Sequence, residues 1–226
     1  MTIRDVARAA GVSTATVSRV LNGEGSVSPP TAELVRAAVA ALGYRPNHVA
    51  RSLKTRATRT IGVVAPELAS DFFMALAESM DRELSEHGYG LIVCSSRESA
   101  RLEGERLEML SERLVDGAIV IPATGEGGHL RAALERGLPL VLVDRLVEGV
   151  DADAVLVDNE GGAYAATTAL AGAGHRRIGF IGGGSIVSVA RERFAGWERA
   201  MRDAGIPVEP DFVREGDLHV DSGYRA

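Results

Sequence analysis

Two hydrophobic periods divide the chain. Between Ile3 and Leu53 apolar residues recur at helical spacing in short runs, and from Ile61 onward strand-like apolar runs alternate with helix-length amphipathic segments. The first run, Ile3, Val6 and Ala10, follows Thr2 and Asp5 at capping-box spacing, with Asp where Glu is usual, and stops at Gly11. One residue later Ser13 is placed to cap a second helix that turns Val17, Val20 and Leu21 inward and ends at Asn22-Gly23. A third helix starts at Ser28-Pro29, runs through Leu34, Val35, Ala38 and Leu42, and ends at Gly43. Next come Tyr44-Arg45-Pro46-Asn47, then Val49, Ala50 and Leu53 at helical spacing, with 55–60 as a linker.

Beyond Thr60 the pattern predicts strands at Ile61–Ala65, Leu91–Cys94, Ala118–Ile121, Leu140–Val143, Val155–Val157 and Ile178–Ile181. Helices are expected near Phe72–His87, Glu103–Arg113, His129–Arg136, Gly161–Ala173 and Arg191–Ala204. Strand and helix alternating this often imply a parallel sheet covered by helices on both faces.

Composition bounds the class. The chain has 226 residues, 46% hydrophobic and 25% charged, which excludes a disordered or fibrous protein and supplies a sizeable core. Cys94 is the single cysteine, so no internal disulfide forms. The amino terminus lacks the apolar core of a secretory signal, and the longest stretches without charge, Gly161–Gly174 and Ile178–Ala190, are too short to span a bilayer. The expectation is a cytoplasmic protein with no membrane span.

Charge is distributed unevenly. Residues 1–60 hold nine basic and three acidic side chains, a net of +6, which leaves −12 on the remainder of a chain whose total is −6. A basic head on an acidic body fits a head that meets a polyanion, and it fits a merely solvated basic face as well.

The motifs decide between these. Thr2-Ile3-Arg4-Asp5-Val6-Ala7-Arg8-Ala9-Ala10-Gly11-Val12-Ser13, followed by Thr16-Val17-Ser18-Arg19-Val20-Leu21-Asn22, resembles the amino terminus of the lactose-repressor (LacI/GalR) family of bacterial transcription factors. Leu42-Gly43-Tyr44-Arg45-Pro46-Asn47 resembles that family's junction into its hinge helix, and Arg59-Thr60-Ile61-Gly62-Val63-Val64 its first core strand. Asp71-Phe72-Phe73, Val115-Asp116-Gly117, Val157-Asp158-Asn159, Gly174-His175-Arg176-Arg177-Ile178 and Arg193-Phe194-Ala195-Gly196-Trp197 continue the match in order. The resemblance implies a helix-turn-helix head at 1–46, a hinge helix and linker at 47–59, and an α/β domain like the periplasmic binding proteins. That domain has a first lobe at 60–157 and a partial second lobe at 158–226. Members of the family are about half as long again, so the second lobe is expected to be incomplete at Ala226.

In a helix-turn-helix the second helix brings its amino-terminal residues to base edges in the major groove. Thr14, Ala15 and Arg19 project from the face opposite Val17, Val20 and Leu21. Arginine can donate two hydrogen bonds to guanine, while Ala15 can touch a thymine methyl. Ser13, Thr16, Ser18 and Asn22 are short polar residues suited to phosphate oxygens, and Thr2 and Ile3 complete the DNA-facing set of the head. For Asn47, Val49, Ala50 and Leu53 the resemblance implies a hinge helix paired with its partner-chain copy in the minor groove, with Leu53 as a wedge between base steps. Read alone, that spacing is plain packing.

Ligands of open parallel sheets bind at the carboxyl ends of the strands. Those ends present Phe72 and Phe73 after the first strand, Asp144 after the fourth, and Arg193 and Trp197 on the helix after Gly182-Gly183-Gly184. Asp, Arg and an aromatic ring suit sugar hydroxyls or an anionic effector, and the resemblance places effector contacts at these positions, although a serine common in the preceding segment reads Val189. As isolated residues, Phe72, Phe73 and Trp197 fit a core and Asp144 a loop cap. The triple glycine fits neither G-x-G-x-x-G nor GK[ST] spacing.

No catalytic constellation is visible. His48, His87, His129, His175 and His219 are scattered, without Cys or carboxylate partners at metal spacing, and no G-x-S-x-G elbow occurs. The expectation is therefore no catalytic residue, no metal and no cofactor. The partners expected are double-stranded operator DNA, a small sugar-like effector and a second copy of the chain in a homodimeric repressor. A solute-binding module without a DNA role and a sugar-processing α/β enzyme are the alternatives.

Overall fold

The computed structural model describes residues 1–23, 25, 27–44, 57–112, 115–183, 187–216 and 220–226. The chain divides into two compact units, Met1–Arg56 and Ala57–Ala226.

The first unit contains α1 (Ile3–Ala10), α2 (Thr14–Asn22) and α3 (Pro29–Leu42). Side-chain caps set the starts of α1 and α2, and Pro29 opens α3. At α1, Asp5 Oδ2 accepts from the Thr2 N–H and the Thr2 hydroxyl, each at 2.9 Å. These bonds, the backbone one first, favour the charged carboxylate and hold Asp5 below its ordinary range. The cap therefore contributes fully above the unfolded value of about 3.9 and fades as pH falls through the lowered folded value. Asp5→Asn is expected to lower the thermal midpoint of the full chain at neutral pH, with the difference from wild type closing in acid. Melting curves across pH check this.

Gly11 ends α1 at φ 67°, a left-handed conformation that strains residues with side chains. The turn delivers Ser13 to the start of α2, where its Oγ accepts the Thr16 N–H at 3.1 Å. One valine from each helix, Val6, Val17 and Val35, closes the core with Ala7 and Ala38. Leu34 departs from expectation: it is 59% exposed. Successive helical residues point about 100° apart, and Val35, not its neighbour, takes the inward direction. The expected helix through Asn47, Val49, Ala50 and Leu53 lies outside the described residues.

The second unit opens on an anchor. Asp116 accepts from the Thr58 N–H (2.7 Å), the Thr58 hydroxyl (2.9 Å) and the Arg59 N–H (2.8 Å). From there run β1 (Thr60–Ala65), α4 (Asp71–Glu86), β2 (Gly90–Ser95), α5 (Ala100–Glu112), β3 (Gly117–Val120), α6 (Gly128–Glu135), β4 (Leu140–Val143) and β5 (Asp153–Val155). The strands form one parallel sheet in the order β2-β1-β3-β4-β5. Both faces are covered, as the alternation implied. Leu107 and Leu110 of α5 and Leu130 of α6 pack with Val64, Val120 and Leu142 on one side. Phe73, Leu76 and Met80 of α4 pack with Ala65, Ile121 and Val143 on the other. The wholly buried Glu103 is satisfied by the Ala123 N–H at 2.7 Å and by His129 Nε2, also at 2.7 Å.

The chain continues through α7 (Asn159–Gly172), β6 (Phe180–Gly183), α8 (Ser188–Asp203), a 3-10 turn (Pro210–Phe212), β7 (Val213–Gly216) and α9 (Val220–Arg225). β6 and β7 pair in parallel as a second, two-stranded sheet. Helices α7 and α8 approach so closely at Gly196 that a Cβ there would lie 2.1 Å from the Glu160 carbonyl oxygen. Gly196→Val should therefore cost about 1–3 kcal/mol through overpacking, read as a lower urea midpoint. Two strands differ from expectation. β5 lies two residues earlier than the Val155–Val157 run and is exposed along its length, while β6 begins at Phe180 rather than Ile178.

Candidate functional site

In the first unit the candidate surface is the amino-terminal half of α2. With Val17 wholly buried beneath it, the helix turns Ser13, Thr14, Ala15 and Arg19 outward to solvent and leaves Thr16 and Ser18 half-buried. Ser13 and Thr16 Oγ atoms lie 3.0 Å apart, so the cap itself is presented at that end. Thr2 is committed to the α1 cap, and Ile3 packs against the head core. The Asn22 side chain and residues Asn47, Val49, Ala50 and Leu53 lie outside the described residues. Short hydroxyls at the helix amino terminus can bind phosphate, and the exposed Arg19, about one and a half turns further along in the last turn of α2, can reach a base edge from the same outward face.

In the second unit a cavity of about 800 Å³ opens at the carboxyl ends of the strands. The β1–α4 junction contributes Ser70, Asp71, Phe72 and Phe73, the loop after β2 contributes Glu98, and the loop after β4 contributes Asp144 and Arg145. Val189 and Arg193 of α8 and Asp221 of α9 complete the wall. Phe72 and Phe73 meet edge to face at 5.3 Å between centroids.

Backbone strain marks the floor. Glu98 has φ 52° and Asp144 has φ 67°, both left-handed and both carrying side chains. The two strained loops are joined by Arg145, whose side chain is 4% exposed: Nη1 donates to Glu98 Oε2 at 2.9 Å and Nη2 to Glu98 Oε1 at 3.2 Å. Arg145 Nη1 also donates to the Pro122 carbonyl at 2.9 Å. The next residue reaches the other wall, the Leu146 N–H donating to Ser188 Oγ at 3.0 Å. Arg193 is steadied by Asn159, whose Oδ1 accepts from Arg193 Nε at 2.8 Å.

Of the five effector positions expected, the structure brings together Phe72, Phe73, Asp144 and Arg193. Trp197 lies elsewhere. It is 2% exposed and packs with Phe180 and Phe194 at 5.6 Å between centroids, beside a smaller apolar cavity between α7 and β6. Among the described residues no cluster of His, Cys, Asp and Glu is arranged to hold a metal, and no helix is long and apolar enough to cross a membrane.

Comparison with known proteins matches both units. Residues 2–47 match the family described as bacterial regulatory proteins, lacI family, and residues 58–226 match periplasmic binding proteins and the sugar binding domain of the LacI family. The chain belongs to the LacI family. It is 38% identical over 223 residues to the HTH-type transcriptional regulator RegA of Clostridium saccharobutylicum, which covers 98% of this chain and 67% of that protein. It is 37% identical over 226 residues to the HTH-type transcriptional repressor PurR of Photobacterium profundum, covering 100% and 68%. Among solved structures, the lac repressor dimer bound to operator and the anti-inducer ONPF superposes with a TM-score of 0.86 at 28% identity, covering all of this chain and 68% of that one. This LacI-family chain thus spans about two thirds of the length of the relatives it matches.

Sequence reasoning missed Glu98, Arg145 and Asp221 in this LacI-family cavity. The signal for the first two lies in the sequence, because Glu98 follows the second strand and Arg145 adjoins Asp144 after the fourth. Asp221 could not be placed without β7, which the apolar pattern did not reveal.

Proposed function

We propose that the chain acts as a homodimeric repressor at a pseudo-palindromic DNA operator and that a small sugar-like effector in the second-unit cavity sets its affinity. The observation that carries this is the exposed face of α2, which presents Ser13, Thr14 and Ala15 at its start and Arg19 in its last turn, opposite the buried Val17. Arg19 reads guanine, Thr14 and Ala15 meet neighbouring base edges, and Ser13, Thr16, Ser18 and Asn22 hold phosphates. Thr2 and Ile3 fix the head, and Asn47, Val49, Ala50 and Leu53 form the minor-groove hinge of residues 47–59. Phe72, Phe73, Asp144 and Arg193 contact the effector, while Trp197 supports the helix that carries Arg193.

On this reading the second unit comprises a lobe of residues 60–157 and one of residues 158–226; side chains from both ranges line the cavity, and an effector that favours one lobe arrangement biases the hinge. The relatives named above are transcriptional regulators, and the role proposed is binding in the cytoplasm, at the nucleoid, without catalysis. Fluorescence anisotropy of a labelled operator fragment tests the reading. Arg19→Ala should cost about 1–3 kcal/mol of binding, and a candidate sugar should move operator affinity. An affinity indifferent to Arg19 and to every sugar tried would overturn it.

A further inference from the structure

We infer, on the reading that this cavity is the effector site, that it takes an uncharged polyol or saccharide and rejects the phosphorylated or carboxylated form of the same molecule. Carboxylates dominate the described lining: Glu67, Asp71, Glu98, Asp144 and Asp221 stand against two guanidinium groups, Arg145 and Arg193. In a partly desolvated cleft this balance disfavours a second anion.

Arg145 is the side chain an anion would need, because it is buried at the floor and cannot lose its charge. Glu98 already occupies it. The bidentate pair at 2.9 and 3.2 Å and the Pro122 carbonyl engage both terminal nitrogens, Nη1 through two bonds and Nη2 through one. Its Nε remains, buried and without a hydrogen-bond partner, 3.9 Å from Asp144 Oδ2. That separation is too long for a hydrogen bond. A donor and an acceptor left facing each other in this way call for one group that accepts from the first and donates to the second. A hydroxyl does both. A phosphate or carboxylate oxygen can only accept, and it would be held against the Asp144 carboxylate. Arg193 keeps its terminal nitrogens, its Nε being given to Asn159, but it is a single cation set against Asp71, Asp144 and Asp221 in the same lining.

Calorimetric titration of the full chain with a panel of pentoses, hexoses and disaccharides, each beside its phosphate or uronic acid, tests the inference at low ionic strength. Any sugar that binds should bind at least about tenfold more tightly than its anionic counterpart, with the gap narrowing as salt is added. Asp71→Asn and Asp221→Asn, both at exposed positions where the fold tolerates the change, should narrow it too. Glu98→Gln, which releases Arg145, should bring the anionic member within about threefold of its parent or ahead of it. An anionic member that binds wild type as tightly as its parent overturns charge selection while leaving the effector site standing. If no member of either series binds, the effector-site reading falls, and this inference with it.

Discussion

Glu98→Ala is expected to lower the unfolding free energy of the full chain by about 3 kcal/mol, near the lower end of what breaking a buried ion pair costs. The loss arises at Arg145, which is 4% exposed and would keep its charge with the Pro122 and Ala123 carbonyls as acceptors and the Asp144 carboxylate no nearer than 3.9 Å. The 34% exposure of Glu98 lets water return part of the solvation and keeps the cost from rising further. Removing both charges as Glu98→Ala with Arg145→Met should recover most of the stability, because no buried cation is then left unpaired. Urea unfolding followed through Trp197, the single tryptophan, provides the double-mutant cycle. Losses that simply add would show that the two side chains act independently.

Leu110→Ala should cost about 2–5 kcal/mol. Leu110 is wholly buried between α5 and the sheet, and it rests directly on the strand backbone: a Cβ at Gly62 would come within 2.6 Å of Leu110 Cδ1. The same geometry predicts a change of sign. Gly62→Ala should destabilise wild type, where Leu110 has no room to give, and should stabilise the Leu110→Ala variant by filling part of its cavity. Midpoints and slopes of urea curves for the four proteins check the pairing. A Gly62→Ala effect of the same sign in both backgrounds would mean that α5 shifts freely over β1.

These contacts also show where the sequence was legible. Helix starts in the head were readable because Thr2, Ser13 and Ser28 are capping residues, and the inward face of α2 followed from Val17, Val20 and Leu21. That Phe72, Phe73, Asp144 and Arg193 line one cavity follows from their place beyond the carboxyl ends of parallel strands, which topology alone makes convergent. Trp197 does not line that cavity, because an aromatic residue on the same helix as Arg193 is equally suited to a core. It lies four positions further along, and its ring meets Phe180 and Phe194 instead of the cavity. β7 escaped because Val213-Arg214-Glu215-Gly216 offers one apolar residue in four, so neither strand period nor burial is written into it. β5 was displaced for the opposite reason: Val155, Leu156 and Val157 read as a buried strand yet are exposed. The Glu98–Arg145 pair spans 47 residues of sequence, a separation at which no local pattern joins two charges.

In the proposed function α2 reads double-stranded DNA through Arg19. Sequence selection from a randomised duplex pool, carried out with the full wild-type chain and with Arg19→Ala, tests it most directly. Wild type should enrich a pseudo-palindromic site containing a G·C pair in each half, and Arg19→Ala should lose preference at that one pair in each half while keeping the rest of the site. Enrichment of no sequence by wild type, or an Arg19→Ala profile identical to wild type and merely weaker everywhere, would contradict it.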